Sequence, residues 1–372
     1  MTLQATPFHA RAADANRHNA WLTRNGVTLA ERYSDVMQEA LAARLNVVIA
    51  DISWRWRVML EGASAEALLS KLMTRDAAAL APGTAFKALW LSDAGGVRGA
   101  GVVARLGRET FQLASSAPDV DWIAAAAATM DVRIRDVSEE SGGLAVVGPY
   151  AAATLKATGL ETELEPLAFR KLSWRGIEVT LSRWGEHGGY EIWCAADDGV
   201  VVWDRVMKAG AAYGIVPAGL AAMDVLDLEA GVPRPELDYK PAREASDADP
   251  MPATLGLTSL IDDAHHGFNG RRAFLAAKPS RKLVGLEIDS DEPAPFTPVM
   301  LGDKIVGHTL RSVYSPALKR AIALATVDDA AAVAATLLSL TLPPDMAKPE
   351  LRKAVARATG LPFLEKPASI EA

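Results

Sequence analysis

Short runs in which apolar and polar residues alternate, separated by single helical segments, limit most strongly how this chain of 372 residues can fold. A period of two is typical of half-buried strands. We find it or a similar apolar run at residues 54–58, 86–91, 98–106, 110–114, 145–147, 177–182 and 190–194. Because no strand–helix–strand unit repeats along the chain, the pattern predicts an α+β protein and not a doubly wound parallel sheet.

The segments between these runs predict helices and turns. Residues 1–50 are predicted to be mainly helical, with a helix-compatible run from 33 to 45. Ser64 is a candidate N-cap, and Leu68, Leu69, Leu72 and Met73 follow at helical spacing. Further helices are expected near residues 199–213 and 219–231.

The last third of the chain has a different pattern. Residues 233–252 contain five prolines among charged residues, which predicts a long connecting loop. Strands are then expected at 283–288, 304–311 and 321–327, so this section is predicted to be rich in strands.

Charge and cysteine content exclude several classes of protein. The 46 acidic and 39 basic residues give a net charge of −7, which disfavours general nucleic-acid binding. No apolar run reaches the roughly 20 residues of a membrane span, and no signal peptide is visible. The single cysteine, Cys194, excludes a disulfide framework and a cysteine-cluster metal site, and indicates a cytoplasmic protein. The adjacent His265 and His266 have no third ligand at metal-binding spacing, so we expect no metal and a small-molecule substrate.

Two tryptophans alternate with two arginines at residues 54–57. One interpretation is a strand whose indoles face the core while Arg55 and Arg57 face solvent. The other is an aromatic platform formed by Trp54 and Trp56, with a nearby cation, which would suit a flat anionic ring.

Several short segments, in order and at consistent spacing, resemble the aminomethyltransferase family, which includes the T-protein of glycine cleavage. They cover nearly the whole chain, at residues 51–62, 67–69, 72–76, 136–138, 148–149, 188–192, 219–220, 224, 228–231, 268–270, 281–286, 314–318 and 322–325. The resemblance implies a three-domain clover leaf around a central channel where tetrahydrofolate binds. The expected domains are residues 1–50 with 137–240, residues 51–136, and residues 241–372.

The departures from the family pattern change the expected charge of the site. The family's catalytic aspartate lies in a Gly-Val-Ile-Asp-Asp-Leu run that here reads Gly-Val-Arg-Gly-Ala-Gly over residues 96–101. Cations stand where the family mostly has neutral groups, at Arg55, Arg75, Lys87 and Arg98. Such a site favours a carboxylate or a phenolate over a cationic aminomethyl group. Met223 replaces an arginine that contacts folate in the T-proteins, which counts against folate binding.

Residues 184–193, Trp-Gly-Glu-His-Gly-Gly-Tyr-Glu-Ile-Trp, resemble the signature of folate-dependent demethylases that act on dimethylsulfoniopropionate and on lignin-derived methoxy-aromatics. In those relatives the glutamate binds the pterin and the tryptophan lines the folate cavity, which implies these roles for Glu191 and Trp184. The final aromatic of the signature is Trp193. Taken by itself, His187 in the same segment fits a surface turn or a site residue.

Three functions remain open from the sequence. The first is O-demethylation of a small anionic, lignin-type aromatic substrate with tetrahydrofolate as acceptor. The second is a folate-independent lyase that releases formaldehyde from a hydroxymethyl-bearing aromatic dimer, and the third is a non-catalytic folate-binding module. The candidate catalytic residues are Lys87, Arg55, Arg98, His187 and Tyr190; the candidate folate-binding residues are Glu191, Trp184 and Trp193; the candidate substrate-binding residues are Trp54, Trp56 and Arg75.

Overall fold

The computed structural model describes residues 3–117, 119–183, 185, 187–342 and 352–365. These residues form two compact units, one from the described parts of 1–88 and 100–224 and the other from 89–99 and 225–365. The helices are α1 His9–Ala15, α2 Val36–Leu45, α3 Ala65–Leu72, α4 Val120–Ala126, α5 Ala151–Thr158, α6 Gly199–Gly210, α7 Leu220–Glu229 and α8 Arg271–Ala276.

The strands form three open sheets and a closed barrel. A small sheet has the order β1-β3-β2, from β1 Gln4–Ala5, β2 Trp21–Arg24 and β3 Val27–Ala30. A five-stranded sheet has the order β6-β7-β8-β5-β9, from β5 Trp56–Glu61, β6 Ala85–Leu91, β7 Val97–Arg105, β8 Thr110–Ser115 and β9 Arg133–Asp136. A six-stranded sheet has the order β11-β12-β13-β10-β4-β14, from β4 Val48–Asp51, β10 Ser141–Val147, β11 Phe169–Trp174, β12 Ile177–Ser182, β13 Tyr190–Ala195 and β14 Val216–Pro217.

The barrel lies in the second unit and closes in the order β15-β18-β17-β16-β19-β20. Its strands are β15 Arg281–Ile288, β16 Pro298–Leu301, β17 Lys304–Ser315, β18 Arg320–Asp328, β19 Leu337–Leu342 and β20 Arg352–Thr359. The three strands predicted from the sequence correspond to β15, β17 and β18. The α+β class is confirmed.

The six-stranded sheet has one face covered by helices and one face that carries the site. Tyr190, Ile192 and Cys194 of β13 belong to a core cluster with residues of α1, α5 and α6. Because neighbouring side chains on a strand point to opposite faces, Glu191 and Trp193 lie on the other face. This alternation places a carboxylate and an indole side by side.

The prediction of a mainly helical segment at residues 1–50 is wrong outside α1 and α2, because β1 to β4 lie in the same segment. Strands β2 and β3 pair through Arg24 and Val27, so Asn25 and Gly26 form a two-residue hairpin loop. Both loop residues have positive φ, of 48° and 81°. An Asn-Gly pair with this backbone is the usual turn of a tight hairpin, and it could have been found from the sequence.

Other local predictions are confirmed. Helix α3 begins directly after Ser64, whose side chain makes no capping hydrogen bond, and buries Leu68, Leu69 and Leu72. The meander of β6, β7 and β8 lies at the expected residues, and residues 233–252 form a loop with one isolated bridge. Of the helices in the described part of the chain, none has the length and apolar character that crossing a bilayer requires. The proposed three-domain boundaries stay a prediction.

Candidate functional site

A turn after β4 positions two of the predicted site residues, Trp54 and Arg55. The Asp51 carboxylate accepts the backbone N–H of Ser53 at 2.9 Å and the Thr6 hydroxyl at 2.6 Å. The N–H of Arg55 then donates to the Ile52 carbonyl at 3.1 Å. These bonds hold residues 52–55 in a turn, and β5 begins only at Trp56. The prediction that Trp54 and Trp56 share one face of a strand is therefore wrong.

The centre of the site is the carboxylate of Glu191. Its side chain is only 2% exposed. Oε1 forms an ion pair with the Arg55 guanidinium, and Oε2 accepts the indole N–H of Trp193 at 3.2 Å. A buried charge requires such partners, because an unpaired carboxylate loses its hydration without compensation. The structure thus brings together one predicted catalytic residue and two predicted folate-binding residues.

Arg57 is buried, which contradicts the prediction that it faces solvent. Its guanidinium donates to the Ser141 hydroxyl at 2.5 Å and to the carbonyls of Val137, Ser138 and Ser141 at 3.0–3.3 Å. It also stacks on Trp193, with 4.1 Å between Cζ and the ring centroid. Burial lowers the pKa of Arg57 to about 10, so the side chain is still charged at neutral pH. The period of two in β5 could not reveal these acceptors, because they lie about 80 residues away in sequence.

The two candidate substrate-binding tryptophans are both buried but differ in their partners. The indole N–H of Trp56 donates to Asp136 at 2.8 Å. Trp54 lies beneath Arg24, with 5.0 Å between Cζ and its ring centroid, and Arg24 in turn pairs with Asp224 at 3.3 Å. The indole N–H of Trp54 is buried and finds no acceptor among the described residues. Trp54 therefore retains an unused donor, and Trp56 does not.

Tyr190 and His187 lie in different surroundings. The Tyr190 hydroxyl donates to the Thr162 carbonyl at 3.0 Å on the helix-covered face of the sheet. It is thus on the side of the sheet opposite to Glu191, and its hydroxyl proton is directed at the Thr162 carbonyl and away from the site. His187 is partly exposed in the turn before β13. Trp184 lies outside the described residues.

The remaining predicted cations are distributed over both units. Lys87 and Arg75 are partly exposed and belong to the first unit, Lys87 on β6 and Arg75 after α3. Arg98 belongs to the second unit and donates to the Arg243 carbonyl there. Their roles in binding or catalysis stay predictions. In the described ranges, no three His, Cys, Asp or Glu residues are grouped so that they could hold a metal ion.

An aromatic ring fills the space beside Gly99. A Cβ added to Gly99 would lie 2.2 Å from Cζ2 of Trp90 and 2.6 Å from its Nε1. Trp90 is itself fully buried. The indole on β6 therefore occupies the space that a carboxylate side chain at residue 99 would need.

The comparisons with known proteins agree with this fold. Residues 11–256 match the GCVT N-terminal domain, and residues 281–351 match the glycine cleavage T-protein C-terminal barrel domain. A crystal structure of glycine cleavage system aminomethyltransferase T from Bartonella henselae superposes with a TM-score of 0.87, covering 99% of this chain and 100% of that one. Its sequence identity is 23%, so this likeness shows the fold alone.

Two curated relatives have higher identity. An aminomethyltransferase of Bacillus pumilus is 31% identical over 328 residues, which cover 85% of this chain and 88% of that protein. A trimethylamine-oxide aldolase of Ruegeria pomeroyi is 32% identical over 349 residues, which cover 88% of this chain but only 43% of that protein. Both are named as enzymes. With both family domains matched over most of its length, this chain belongs to the aminomethyltransferase (glycine cleavage T-protein) family.

Proposed function

We propose that this chain is an enzyme that removes a one-carbon unit, by O-demethylation, from a small anionic aromatic substrate, with tetrahydrofolate as the acceptor. The observation that carries the proposal is the buried carboxylate of Glu191, held between the Arg55 guanidinium and the Trp193 indole. A carboxylate fixed in this way is a preorganised acceptor for the N–H groups of a flat heterocycle.

The residues present fit a pterin at this position. An ionised carboxylate accepts hydrogen bonds only, and one that Arg55 and Trp193 hold in place is the type of acceptor that the ring N–H groups of a pterin require. Glu191 and Trp193 would hold the pterin, and Arg55 would fix the direction of the carboxylate. Tetrahydrofolate, when bound, supplies the nitrogen that accepts the one-carbon unit.

The charges of the site favour an anionic leaving group. In O-demethylation the C–O bond breaks and its electron pair remains on the oxygen, which leaves as a phenolate. A cation such as Lys87, which belongs to the same unit as Glu191, would stabilise that oxygen, and His187 is a candidate to protonate it. At residue 99, where the family pattern has a carboxylate, the space is filled by Trp90, so no carboxylate stabilises a cationic aminomethyl group there. We therefore do not propose glycine cleavage.

The test is an anaerobic incubation of the protein with tetrahydrofolate and a set of methoxybenzoates, with the methylated folate and the free phenol measured by chromatography. Glu191→Gln keeps the size of the side chain but removes its charge, and is expected to weaken folate binding about ten- to a hundredfold. Glu161→Gln is the matched control, because Glu161 also pairs with an arginine, Arg170, but is 79% exposed. Equal folate affinity of Glu191→Gln and wild type would reject the cofactor assignment.

A second candidate is a folate-independent lyase that releases formaldehyde from a hydroxymethyl-bearing aromatic dimer. Both oxygens of Glu191 already have protein partners, and one relative is named as an aldolase, which supports this candidate. Formaldehyde released from such a dimer in the absence of folate would support the lyase over the demethylase. Folate binding without turnover of either substrate class would instead favour the non-catalytic folate-binding module.

A further inference from the structure

A cavity of about 270 Å³ lies in the first unit on the side of Trp193 where Arg57 stacks. Its walls come from β5 and β8 of the five-stranded sheet and from β10 to β13 of the six-stranded sheet. Pockets for drug-sized ligands usually have 300–1,000 Å³, so this cavity suits a smaller molecule.

A buried cation without a contact ion pair forms part of this cavity. The four acceptors of Arg57 are neutral, namely one serine hydroxyl and three backbone carbonyls. Its Nε–H is buried and has no hydrogen-bond partner in the described part of the chain. Buried charges in proteins are usually paired by direct contact, so Arg57, whose hydrogen bonds to the described residues all go to neutral groups, is suited to direct contact with an anion.

The charged side chains at the exposed end of the cavity leave the net formal charge of its lining positive. Lys171 and Glu178 are exposed lining residues on β11 and β12, and their formal charges cancel. Arg57 is then the remaining formal charge of the lining. The carboxylates of Asp136, Glu140 and Glu191 act on Arg57 electrostatically, yet burial still lowers its pKa to about 10.

The rest of the lining is divided between polar and apolar side chains. Gln112 and Thr180 offer donors and acceptors, whereas Met59 and Val179 offer apolar contact. This combination suits a ligand with one anionic group and a compact apolar body, and an inorganic ion would leave the apolar walls without a partner.

We propose that this cavity is a binding site for a small organic anion, of the class of an aromatic or branched monocarboxylate, whose carboxylate pairs with Arg57. The site is separate from the one-carbon site, and the inference does not depend on the proposed function. Trp193 touches both regions, through its indole N–H to Glu191 and through its ring face to Arg57.

Isothermal titration calorimetry of the full chain with benzoate, and with its neutral analogue benzamide, tests the proposal. Benzoate is expected to bind at least about tenfold more tightly than benzamide, the difference that one charge-assisted contact makes. Lys171→Met removes a cation at the rim and should weaken benzoate several-fold. Arg57 is left unchanged, because its bonds to three carbonyls make loss of folding the expected result of its replacement.

A blocked cavity provides the decisive variant. Ala195 lines the cavity and is exposed at the end of β13, so Ala195→Trp should fill the opening and weaken benzoate at least tenfold. Ala212→Trp makes the same substitution at an exposed position after α6, outside the lining, and should bind as wild type does. The benzoate binding that Ala195→Trp weakens should be retained in Lys87→Met, because Lys87 does not line the cavity.

Three results would overturn the proposal. The first is equal affinity for benzoate and benzamide. The second is a Kd for benzoate weaker than about 1 mM, which corresponds to about −4 kcal/mol. The third is unchanged benzoate binding in Ala195→Trp. Loss of benzoate binding in Lys87→Met together with unchanged binding in Ala195→Trp would place the anion in the one-carbon site instead. That last result would support the proposal that cations of the one-carbon site bind an anionic substrate, and it would reject the cavity as the binding site of the anion.

Discussion

The ion pair between Arg55 and Glu191 should couple the two residues energetically. Arg55→Met keeps most of the aliphatic stem and removes the charge, so the buried Glu191 carboxylate loses its ion pair with Arg55. Glu191→Gln keeps the shape and removes the opposite charge. The double variant removes both charges, so no unpaired ion remains from this pair.

The burial of the two side chains sets the size of the effect. Removing one partner of a fully buried pair costs about 3–5 kcal/mol. Because Arg55 is 27% exposed and Glu191 is 2% exposed, we expect about 3 kcal/mol for Arg55→Met, at the lower end of that range. The guanidinium left by Glu191→Gln can be hydrated in part, so that variant should cost about 1–2 kcal/mol. With about 2–3 kcal/mol for the double variant, the coupling energy is about 2 kcal/mol.

Urea unfolding followed by tryptophan fluorescence measures the four free energies of this cycle. The exposed pair Arg170 and Glu161, with side chains 45% and 79% exposed, is the matched control. The same substitutions there should give a coupling energy of about 0.2–1 kcal/mol. A coupling energy for Arg55 and Glu191 no larger than that of the control pair would refute the argument that Glu191 depends on Arg55.

Three further predictions concern other parts of the chain. Gly99→Asp should destabilise the protein by about 1–3 kcal/mol or more and lower its melting temperature, because the new Cβ would overlap Trp90. Gly360→Asp is the control and should cost little, because nothing lies within 4 Å of a Cβ there. A normal melting temperature for Gly99→Asp would contradict the overlap. Burial raises the pKa of Asp51 above its usual value of 3.8, so the folded protein binds more protons than the unfolded chain just above that pH. Urea unfolding should therefore show the wild type losing stability relative to Asp51→Asn as pH rises from about 4 through the raised pKa, and a pH-independent difference would oppose this reasoning. Burial raises the pKa of Cys194 to about 12. Iodoacetamide at pH 8, roughly the usual pKa of a free thiol, should therefore label Cys194 only after the protein is unfolded in guanidinium. Rapid labelling of the folded protein would show that the thiol is accessible.

Much of the local structure could be predicted because it depends on neighbouring residues. Three leucines at helical spacing after Ser64 predicted α3, and the turn residues between alternating runs predicted the meander. The hairpin of β2 and β3 was missed although its Asn25-Gly26 turn is a local signal. Here the abundance of helix-forming residues around it outweighed a two-residue pattern.

The site itself depends on contacts that a linear pattern does not contain. The resemblance in residues 184–193 singled out Glu191, but its pairing with Arg55 joins residues 136 positions apart. The alternation at residues 54–57 predicted an outward Arg57, whereas carbonyls of a distant segment bind that side chain in the interior. Gly143 also gave no signal, although a Cβ there would lie 2.5 Å from the Trp193 ring.

The contact between Gly99 and Trp90 bears on how this chain could change over generations. A single substitution to an acidic residue at position 99 would place the new side chain against a buried indole and destabilise the protein. Replacing Trp90 by a smaller residue first would open a cavity of several methylene groups, which is also costly. Each of the two substitutions is harmful without the other. An acidic residue at position 99 can therefore be gained only through a less stable intermediate, which makes these two positions resistant to change one at a time.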